Sequence, residues 1–326
     1  IYTINNCIRA FGYTNFDNLI ADMGSVDNLR EYVRANGYAD IAVAEDTELL
    51  LVDVNGKTWH TGCYGAKLEP EPGPEPEKPY LCFTSTGNST ISMKQTGTPN
   101  KSANKVIQYK LNDGQWQNWN LTAVSLSDGD KMYIKSDDTI PTSESDYVNY
   151  IYKCFVMTGS IAASGNTMSL LNFSDTLSEY AFYYLFKDCT SLTHAPELPA
   201  TKLEYASYAY MFYGCTSLTQ APALPTTTLS GYCYQGMFVD CTSLTTAPEL
   251  PATTLVSGCY QLMFMHCSNL NYVKAMFADM REDALYSWLD DVSSTGTFVK
   301  NAAATWDNTA VGIPTGWTVQ TASPDK

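Results

Sequence analysis

Paired carboxylates are the residues of this chain whose spacing comes closest to a known chemistry. Asp128 and Asp130 flank Gly129 in a D-G-D turn, a fragment of the pattern that binds calcium. Residues 282–283 (Glu-Asp) and 290–291 (Asp-Asp) are acidic pairs, and a glycoside hydrolase needs two carboxylates that converge across a cleft. A calcium loop needs more oxygen ligands than this turn offers. We therefore interpret the D-G-D segment as a structural turn and the acidic pairs as solvated side chains of a terminal helix.

Cysteine and histidine are the other residues that could bind a metal or act as nucleophiles. The chain has 10 cysteines and 3 histidines, but it contains no C-x-x-C pair. It also lacks a nucleophile elbow, a phosphate-binding loop and a zinc-protease motif. We therefore predict a protein that is not an enzyme and that uses no metal and no cofactor.

Four of the cysteines lie at one constant interval and mark an internal repeat. Cys189, Cys215, Cys241 and Cys267 each follow the previous one by 26 residues, within copies of C-T-S-L-T-x-A-P-x-L-P and Y-x-x-M-F-x-x-C. A constant period of this length predicts units that pack only against their neighbours. We interpret the cysteines as small apolar thiols stacked in the core, with disulfides between repeats as the alternative.

The residue types within one repeat predict a strand on one side and a helix on the other. Proline ends the Thr-rich segment because it lacks an N–H donor, so a strand should stop there. Tyr, Phe and Cys follow at spacings of three and four, which is helical spacing. One strand and one helix in each repeat is the leucine-rich-repeat plan. We therefore predict an α/β leucine-rich-repeat solenoid with caps over residues 159–326.

The repeat motifs resemble those of BspA-like leucine-rich-repeat surface proteins of gut and oral bacteria. The resemblance covers roughly residues 154–320. It implies an extracellular location on the cell surface and a role in adhesion. It also implies that an immunoglobulin-like module precedes the repeats.

The first 66 residues are predicted to form a small α+β domain. Residues 15–24 have a helical pattern, and a second helix is expected between Ser25 as N-cap and Gly37 after its end. An Asn-Gly pair at residues 55–56 predicts a β-hairpin. We expect this domain, residues 1–66, to serve anchoring or assembly, including a possible oligomer, with a plain spacer as the alternative.

A linker and a β-rich domain separate this part from the repeats. Residues 67–79 alternate Pro and Glu, which favours an extended, solvated chain. Residues 80–158 contain six β-rich segments with turn signals about every ten residues. This spacing predicts an immunoglobulin-like β-sandwich. Together with the α+β domain and the repeats, it makes the predicted fold class a multidomain chain.

Charge and hydropathy exclude two classes of partner. The formal net charge is −15 and the pI is near 4.5, which excludes a nucleic-acid binder because such a protein needs a basic stripe. No run of apolar residues is long enough for a transmembrane helix, so direct membrane insertion is not expected. The chain begins at Ile1 without a secretory signal, and we expect a processed or truncated product.

Exposed repeat positions are the candidate binding residues. Tyrosine suits a binding surface because it offers contact area and one hydroxyl with little entropy lost. The candidates are tyrosines that break the repeat and variable positions in two columns, namely His194, Glu197, Tyr205, Tyr210, Tyr213, Gln220, Tyr232, Thr246 and Glu249. Tyr208, Tyr234 and Tyr260 recur at one repeat position and are predicted to lie in the core.

Three functions follow from this organisation. The leading hypothesis is a non-catalytic adhesion protein that binds a host or cell-surface glycoprotein or glycan. The alternative is a fibre or receptor-binding component of a phage virion, attached through residues 1–66 and located on the virion surface. A glycan-cleaving enzyme is the third hypothesis, and no motif supports it.

Overall fold

The structure of this chain is a computed structural model that describes residues 25–35, 37–43, 48–64, 79–96, 105–145, 150–304 and 313–322. The chain divides into two units, Ile1–Lys78 and Pro79–Lys326. The helix predicted over residues 15–24 lies outside the described residues, as do residues 67–78 of the predicted linker.

The first unit contains one helix and a three-stranded antiparallel sheet. The elements are α1 (Val26–Ala35), β1 (Asp40–Val43), β2 (Glu48–Val52) and β3 (Thr58–Tyr64), with strand order β1-β2-β3. The Oγ of Ser25 accepts a hydrogen bond from the Asn28 N–H at 3.0 Å, which caps the helix. Gly37 follows its end with a φ of 90°. The predicted helix and hairpin are therefore confirmed.

The second unit begins with two sheets that pack face to face. Its strands are β4 (Leu81–Ser85), β5 (Ser89–Thr96), β6 (Gln108–Leu111), β7 (Gln117–Asn118), β8 (Val124–Leu126), β9 (Lys131–Lys135), β10 (Ser143–Ser145), β11 (Tyr150–Thr158), β12 (Ile161–Ser164) and β13 (Leu192–His194). One sheet has the order β10-β11-β5-β8 and the other β13-β12-β4-β9-β6-β7. The rings of Phe83 in one sheet and Phe155 in the other lie 5.0 Å apart. Each of the six β-rich segments contains a strand, as predicted.

Short elements lie around the repeats and after them. A 3-10 helix covers Thr167–Leu171, and the later elements are β14 (Tyr272–Ala275), α2 (Glu282–Leu285), β15 (Gly296–Lys300) and β16 (Trp317–Thr321). The last three strands form a parallel sheet of order β14-β15-β16. The predicted terminal helix is only four residues long.

Residues 176–291, here called the repeat stack, are built from consecutive turns. In the turns, alternate backbone N–H groups donate to carbonyl groups of the next repeat, as Tyr208 does to the Cys233 carbonyl at 3.0 Å. The intervening N–H groups close turns within a repeat, as from Met211 to the Tyr208 carbonyl at 3.2 Å. Within each run of turns, such as residues 206–214, every fourth residue has a positive φ, for example 51° at Ala206 and 54° at Tyr210.

These turns overturn the predicted fold class. The protein is mostly β-sheet, with 30% strand and 7% helix in several small separate sheets, so the prediction of an α/β leucine-rich-repeat solenoid is wrong. A positive φ at every fourth residue is incompatible with an α-helix. The spacing of three and four residues that indicated a helix comes instead from successive turns. The predicted strand forms at β13, while later repeats pair through single bridges such as His194–Gln220.

The main hydrophobic core of the second unit contains residues from Leu81 to Trp317. In the repeat stack, equivalent phenylalanines pack with parallel rings: Phe186 and Phe212 are 5.3 Å apart, and Phe212 and Phe238 are 5.6 Å apart. Phe186 also packs on Phe155 of β11 at 5.1 Å. The sheets and the repeats are therefore joined through buried aromatic rings.

The repeat cysteines form a second buried ladder. Cys215 donates its thiol hydrogen to the Phe186 carbonyl at 3.1 Å, and Cys241 donates to the Phe212 carbonyl at 3.2 Å. The eight cysteines from Cys82 to Cys267 are all free and buried. The interpretation as stacked thiols is confirmed, because Cys215, Cys241 and Cys267 each donate to a carbonyl of the preceding repeat and are fully buried.

Candidate binding surface

The predicted binding residues fall into two separate groups. The first, here called the strand column, contains His194, Glu197, Gln220, Thr246 and Glu249, all of them exposed. Parallel bridges connect His194 with Gln220 and Thr246 with Tyr272, so successive repeats place these residues in register. Glu249 forms an ion pair with Lys274 at 2.9 Å.

The second group is a connected cluster of tyrosines, here called the tyrosine face. It consists of Tyr152, Tyr180, Tyr183, Tyr184, Tyr205, Tyr210, Tyr213 and Tyr232. Ring centroids of contacting members lie between 4.3 Å and 6.3 Å apart. Tyr183 is buried, Tyr205 is 40% exposed and the other six are half-buried. Partly exposed aromatic rings thus form one connected cluster.

The left-handed residues of the repeats position several of these rings. Tyr210 and Tyr232 have φ values of 54° and 56°, and the equivalent residues of the next repeat are Gly236 and Gly258. A Cβ atom at Gly236 would lie 2.2 Å from the Tyr210 ring, and one at Gly258 would lie 2.4 Å from the Tyr232 ring. The two glycines therefore allow each ring to lie directly against the backbone of the next repeat.

Sequence reasoning selected half of the tyrosine face. Tyr180 and Tyr184 stand one repeat before Ala206 and Tyr210, so alignment by the repeat period would have indicated them. Tyr152 belongs to β11 and reaches the cluster through contacts with Tyr183 at 6.1 Å and Tyr184 at 4.9 Å. No repeat position marks Tyr152, because it comes from the preceding sheet.

One lysine lies within the tyrosine face. The Lys187 ammonium lies 5.2 Å from the Tyr184 ring centroid and 5.7 Å from that of Tyr213, and it pairs with Asp188 at 3.4 Å. Desolvation raises the pKa of the Tyr184 hydroxyl, and desolvation together with the charge of Asp240 raises that of Tyr213. Both hydroxyls are therefore protonated at neutral pH and can donate as well as accept hydrogen bonds.

An open pocket, here called the end pocket, adjoins the tyrosine face at Tyr232. Its volume is about 530 Å³, and it is lined by Tyr232, Ser257, Gln261, Glu282, Asp283 and Tyr286. Tyr286 is 58% exposed. The acidic pair at residues 282–283 was predicted to be solvated, and its two side chains are exposed at the rim of this pocket. Sequence reasoning missed Tyr286 because it lies after the regular repeats, and Gln261 because the candidates were drawn only from tyrosines and from the variable positions of two columns.

The remaining carboxylates have structural partners. In the D-G-D turn, Asp128 accepts a hydrogen bond from the Gly87 N–H at 2.8 Å, and Asp130 accepts one from the Ser127 N–H at 2.9 Å. Backbone donors thus satisfy both carboxylates, as expected for a turn. Within the described ranges, no group of three His, Cys, Asp or Glu residues is arranged to hold a metal ion.

Comparison with known proteins adds no family to this description. Neither a family model, nor a curated protein, nor a solved structure matches the chain. None of the helices in the described ranges has the length and apolar character needed to cross a membrane. The functional argument therefore depends on the geometry of the tyrosine face and the end pocket.

Proposed function

We propose that this protein is a non-catalytic recognition protein that binds an extracellular protein or glycan through the tyrosine face. The supporting observation is the connected cluster of eight tyrosines, one of them 40% exposed. Tyrosine is enriched at binding surfaces because a rigid ring supplies contact area and its hydroxyl supplies specificity. The rings also pack against each other, so little entropy is lost when a partner binds.

The charges of the chain restrict the kinds of partner it can bind. Arg281 donates to Asp283 through Nε at 3.1 Å and Nη2 at 2.8 Å. Desolvation raises the pKa of Asp283, but the hydrogen bond and charge of Arg281 outweigh it and hold that pKa below its usual value. Asp283 is therefore ionised at neutral pH and can accept hydrogen bonds from a partner. The net charge of −15 favours a partner that is not a polyanion.

The test measures binding of the labelled full chain to surfaces. Capsulated and acapsular gut bacteria form one panel, and host mucin and matrix proteins form the other. We expect Tyr205→Ser combined with Tyr213→Ser to weaken binding about tenfold, because both rings lie on the tyrosine face. The matched control combines His194→Ser with Gln220→Ser in the strand column and should bind like the unmodified chain. Thermal unfolding verifies that both variants fold.

The outcomes separate the possible roles. Binding to host components alone supports a bacterial surface adhesin, in line with the resembled surface proteins. Binding that follows the capsule supports a phage receptor-binding role. The proposal fails if the chain binds no member of either panel, or if the strand-column variant loses binding while the tyrosine-face variant retains it.

A further inference from the structure

We propose that the end pocket binds an uncharged pyranose ring of a glycan. This inference rests on the proposed recognition function and names the class of ligand at one end of the tyrosine face. The pocket combines aromatic rings, carboxylates, an amide and a hydroxyl in about 530 Å³, which is room for one or two sugar rings.

Two tyrosines supply the apolar part of the pocket. A pyranose presents C–H groups on its faces, and these pack favourably against the negative face of an aromatic ring. Tyr232 is held in position, since its ring packs on Tyr205 at 5.4 Å and lies against Gly258. Tyr286 is 58% exposed, so its ring is accessible to a ligand. The pocket therefore has one fixed and one accessible aromatic wall.

The polar lining matches the hydroxyl groups of a sugar, which both donate and accept. Gln235 donates to the Oε1 atom of Gln261 at 2.8 Å, which orients the amide so that its amino group can donate to a ligand. The carboxylates of Glu282 and Asp283 accept hydrogen bonds, and a carboxylate can accept from two neighbouring hydroxyls at once.

The charges around the pocket favour a neutral ligand over an ionic one. Carboxylates at residues 282–283 repel an anionic sugar. The Arg281 guanidinium pairs with Asp283 and is also held by the Leu255 carbonyl at 3.1 Å, so one of the two carboxylates is already neutralised and attracts a cationic ligand less strongly. Hydroxyl groups fit this mixed environment because they carry no charge to desolvate.

The experiment presents the full chain to immobilised neutral oligosaccharides of glucose, galactose, mannose and N-acetylglucosamine. Sialylated and uronate-containing oligosaccharides and an oligolysine peptide form the comparison panel. We expect binding to at least one neutral oligosaccharide and to no comparison ligand. Tyr286→Ala should weaken that binding about tenfold, and Glu282→Gln about fivefold, while Tyr286→Phe retains it.

A control variant and the outcomes of the two experiments separate this inference from the proposed function. Val156→Ala changes a 39% exposed side chain of β11, outside the tyrosine face and the end pocket, and should leave binding of the oligosaccharide unchanged. If cells or mucin are bound through the tyrosine face but no neutral oligosaccharide is bound, the pocket inference is wrong and the recognition function stands. Binding that survives both Tyr286→Ala and Glu282→Gln also overturns the inference, as does oligolysine binding that Glu282→Gln abolishes. Absence of binding to every surface and every saccharide overturns both.

Discussion

The two packed sheets and the repeat stack share one core but pair their backbones differently. In the sheets, strands pair with distant segments, as β5 does with β11, and side chains alternate between core and surface. In the repeat stack, turns within a repeat alternate with hydrogen bonds to the next repeat. Positive φ among non-glycine residues is confined to two positions in described residues 79–158, whereas it recurs at every fourth residue of the stack's turns.

The difference explains why the tyrosine face lies on the repeat stack. A strand places alternate residues on one surface, but a repeat stack places equivalent residues of successive repeats side by side. Tyr184 and Tyr210 are equivalent, and their rings lie 5.2 Å apart. A surface of neighbouring aromatic rings therefore needs only one tyrosine position to recur. In a sheet, each such pair has to be encoded separately on two strands.

The comparison is tested most strongly by truncating one phenylalanine in each region. Phe212→Ala in the stack and Phe83→Ala in the sheets should each lower the free energy of unfolding by about 3–5 kcal/mol. Both rings are fully buried, and they are linked through Phe186, which lies 6.1 Å from Phe83 and 5.3 Å from Phe212. We therefore expect both substitutions to shift the same transition in urea denaturation followed by circular dichroism.

Separate behaviour of the two regions would contradict this expectation. If denaturation shows two transitions, and Phe212→Ala moves one while Phe83→Ala moves the other, the shared core does not couple the regions. A matched surface control is Val156→Ala on β11, where the side chain is 39% exposed. It should change the free energy of unfolding by less than about 1 kcal/mol.

Glycine substitutions separate close packing from backbone conformation. Gly236→Ala should destabilise the protein by about 2 kcal/mol, because φ is 57° and the new Cβ would lie 2.2 Å from the Tyr210 ring. Gly129→Ala in the sheets has a φ of 80° but no atom within 4 Å of the new Cβ. It should cost only about 1 kcal/mol.

The contribution of the ring contact can be isolated. Combining Gly236→Ala with Tyr210→Ala removes the ring that the new Cβ meets, so the cost of the glycine substitution should fall to that at Gly129. Differential scanning calorimetry of the four variants gives the coupling between Gly236 and Tyr210. Additive costs in this double-mutant cycle would mean that the Tyr210 ring does not depend on the glycine.

The strands were predictable from sequence to a greater extent than the repeats. Alternation of apolar and polar residues identified β5, because its pattern directly encodes one buried and one exposed side. In the repeats, a spacing of three or four is shared by an α-helix and by successive turns, so the pattern does not distinguish them. Residues with left-handed backbone conformation are what make these segments turns and not an α-helix. Among the equivalent residues Tyr184, Tyr210 and Gly236, only the glycine could have indicated that conformation from the sequence.

The binding surface was predictable only within the regular repeats, where a residue either follows the period or departs from it. Core positions such as Tyr208 and Tyr234 were identified because they recur with the period, and both are buried. Tyr210 and Tyr232 were identified because they depart from it. Tyr152 and Tyr286 could not be found in this way, because they lie before and after the regular repeats and reach the surface only through tertiary contacts.

Alkaline pH tests the cysteine ladder of the stack against a cysteine of the sheets. Burial raises the pKa of the Cys241 thiol well above its usual value of 9.0. The unfolded chain therefore loses this proton first, so the stabilising contribution is complete below pH 9 and is lost as the pH rises above it. For each such thiol, the free energy of unfolding should fall by about 1 kcal/mol for each pH unit above 9.

A cysteine substitution isolates this contribution. The free energy of unfolding is measured by urea denaturation at several pH values from 8 to 10.5. Above pH 9 it should fall less steeply in Cys241→Ser than in the unmodified chain, and the difference in slope is the contribution of one thiol. Desolvation also raises the pKa of Cys82 in β4, but this thiol is less buried, so Cys82→Ser should flatten the decline less. If the free energy of unfolding depends on pH in the same way with and without Cys241, the Cys241 thiol also loses its proton in the folded protein.

The smallest expected effect comes from one substitution made in both regions. Ala206 in the stack has a φ of 51°, which glycine adopts without the penalty that alanine has there. Ala206→Gly removes this backbone penalty and so stabilises the folded protein. The loss of a buried methyl group and the greater conformational freedom of the unfolded chain destabilise it. The net change should be within about 0.5 kcal/mol of zero.

Ala163 provides the matched position in the sheets. It lies in β12 opposite Phe83 and is as buried as Ala206, but a strand residue has no left-handed strain to relieve. Ala163→Gly should therefore destabilise the protein by about 1–2 kcal/mol in the same urea titration. Equal costs at the two positions would mean that the left-handed residues of the repeat stack are not strained. In that case tyrosine would occupy these positions without opposing the backbone, and the stack could carry more aromatic rings at no loss of stability.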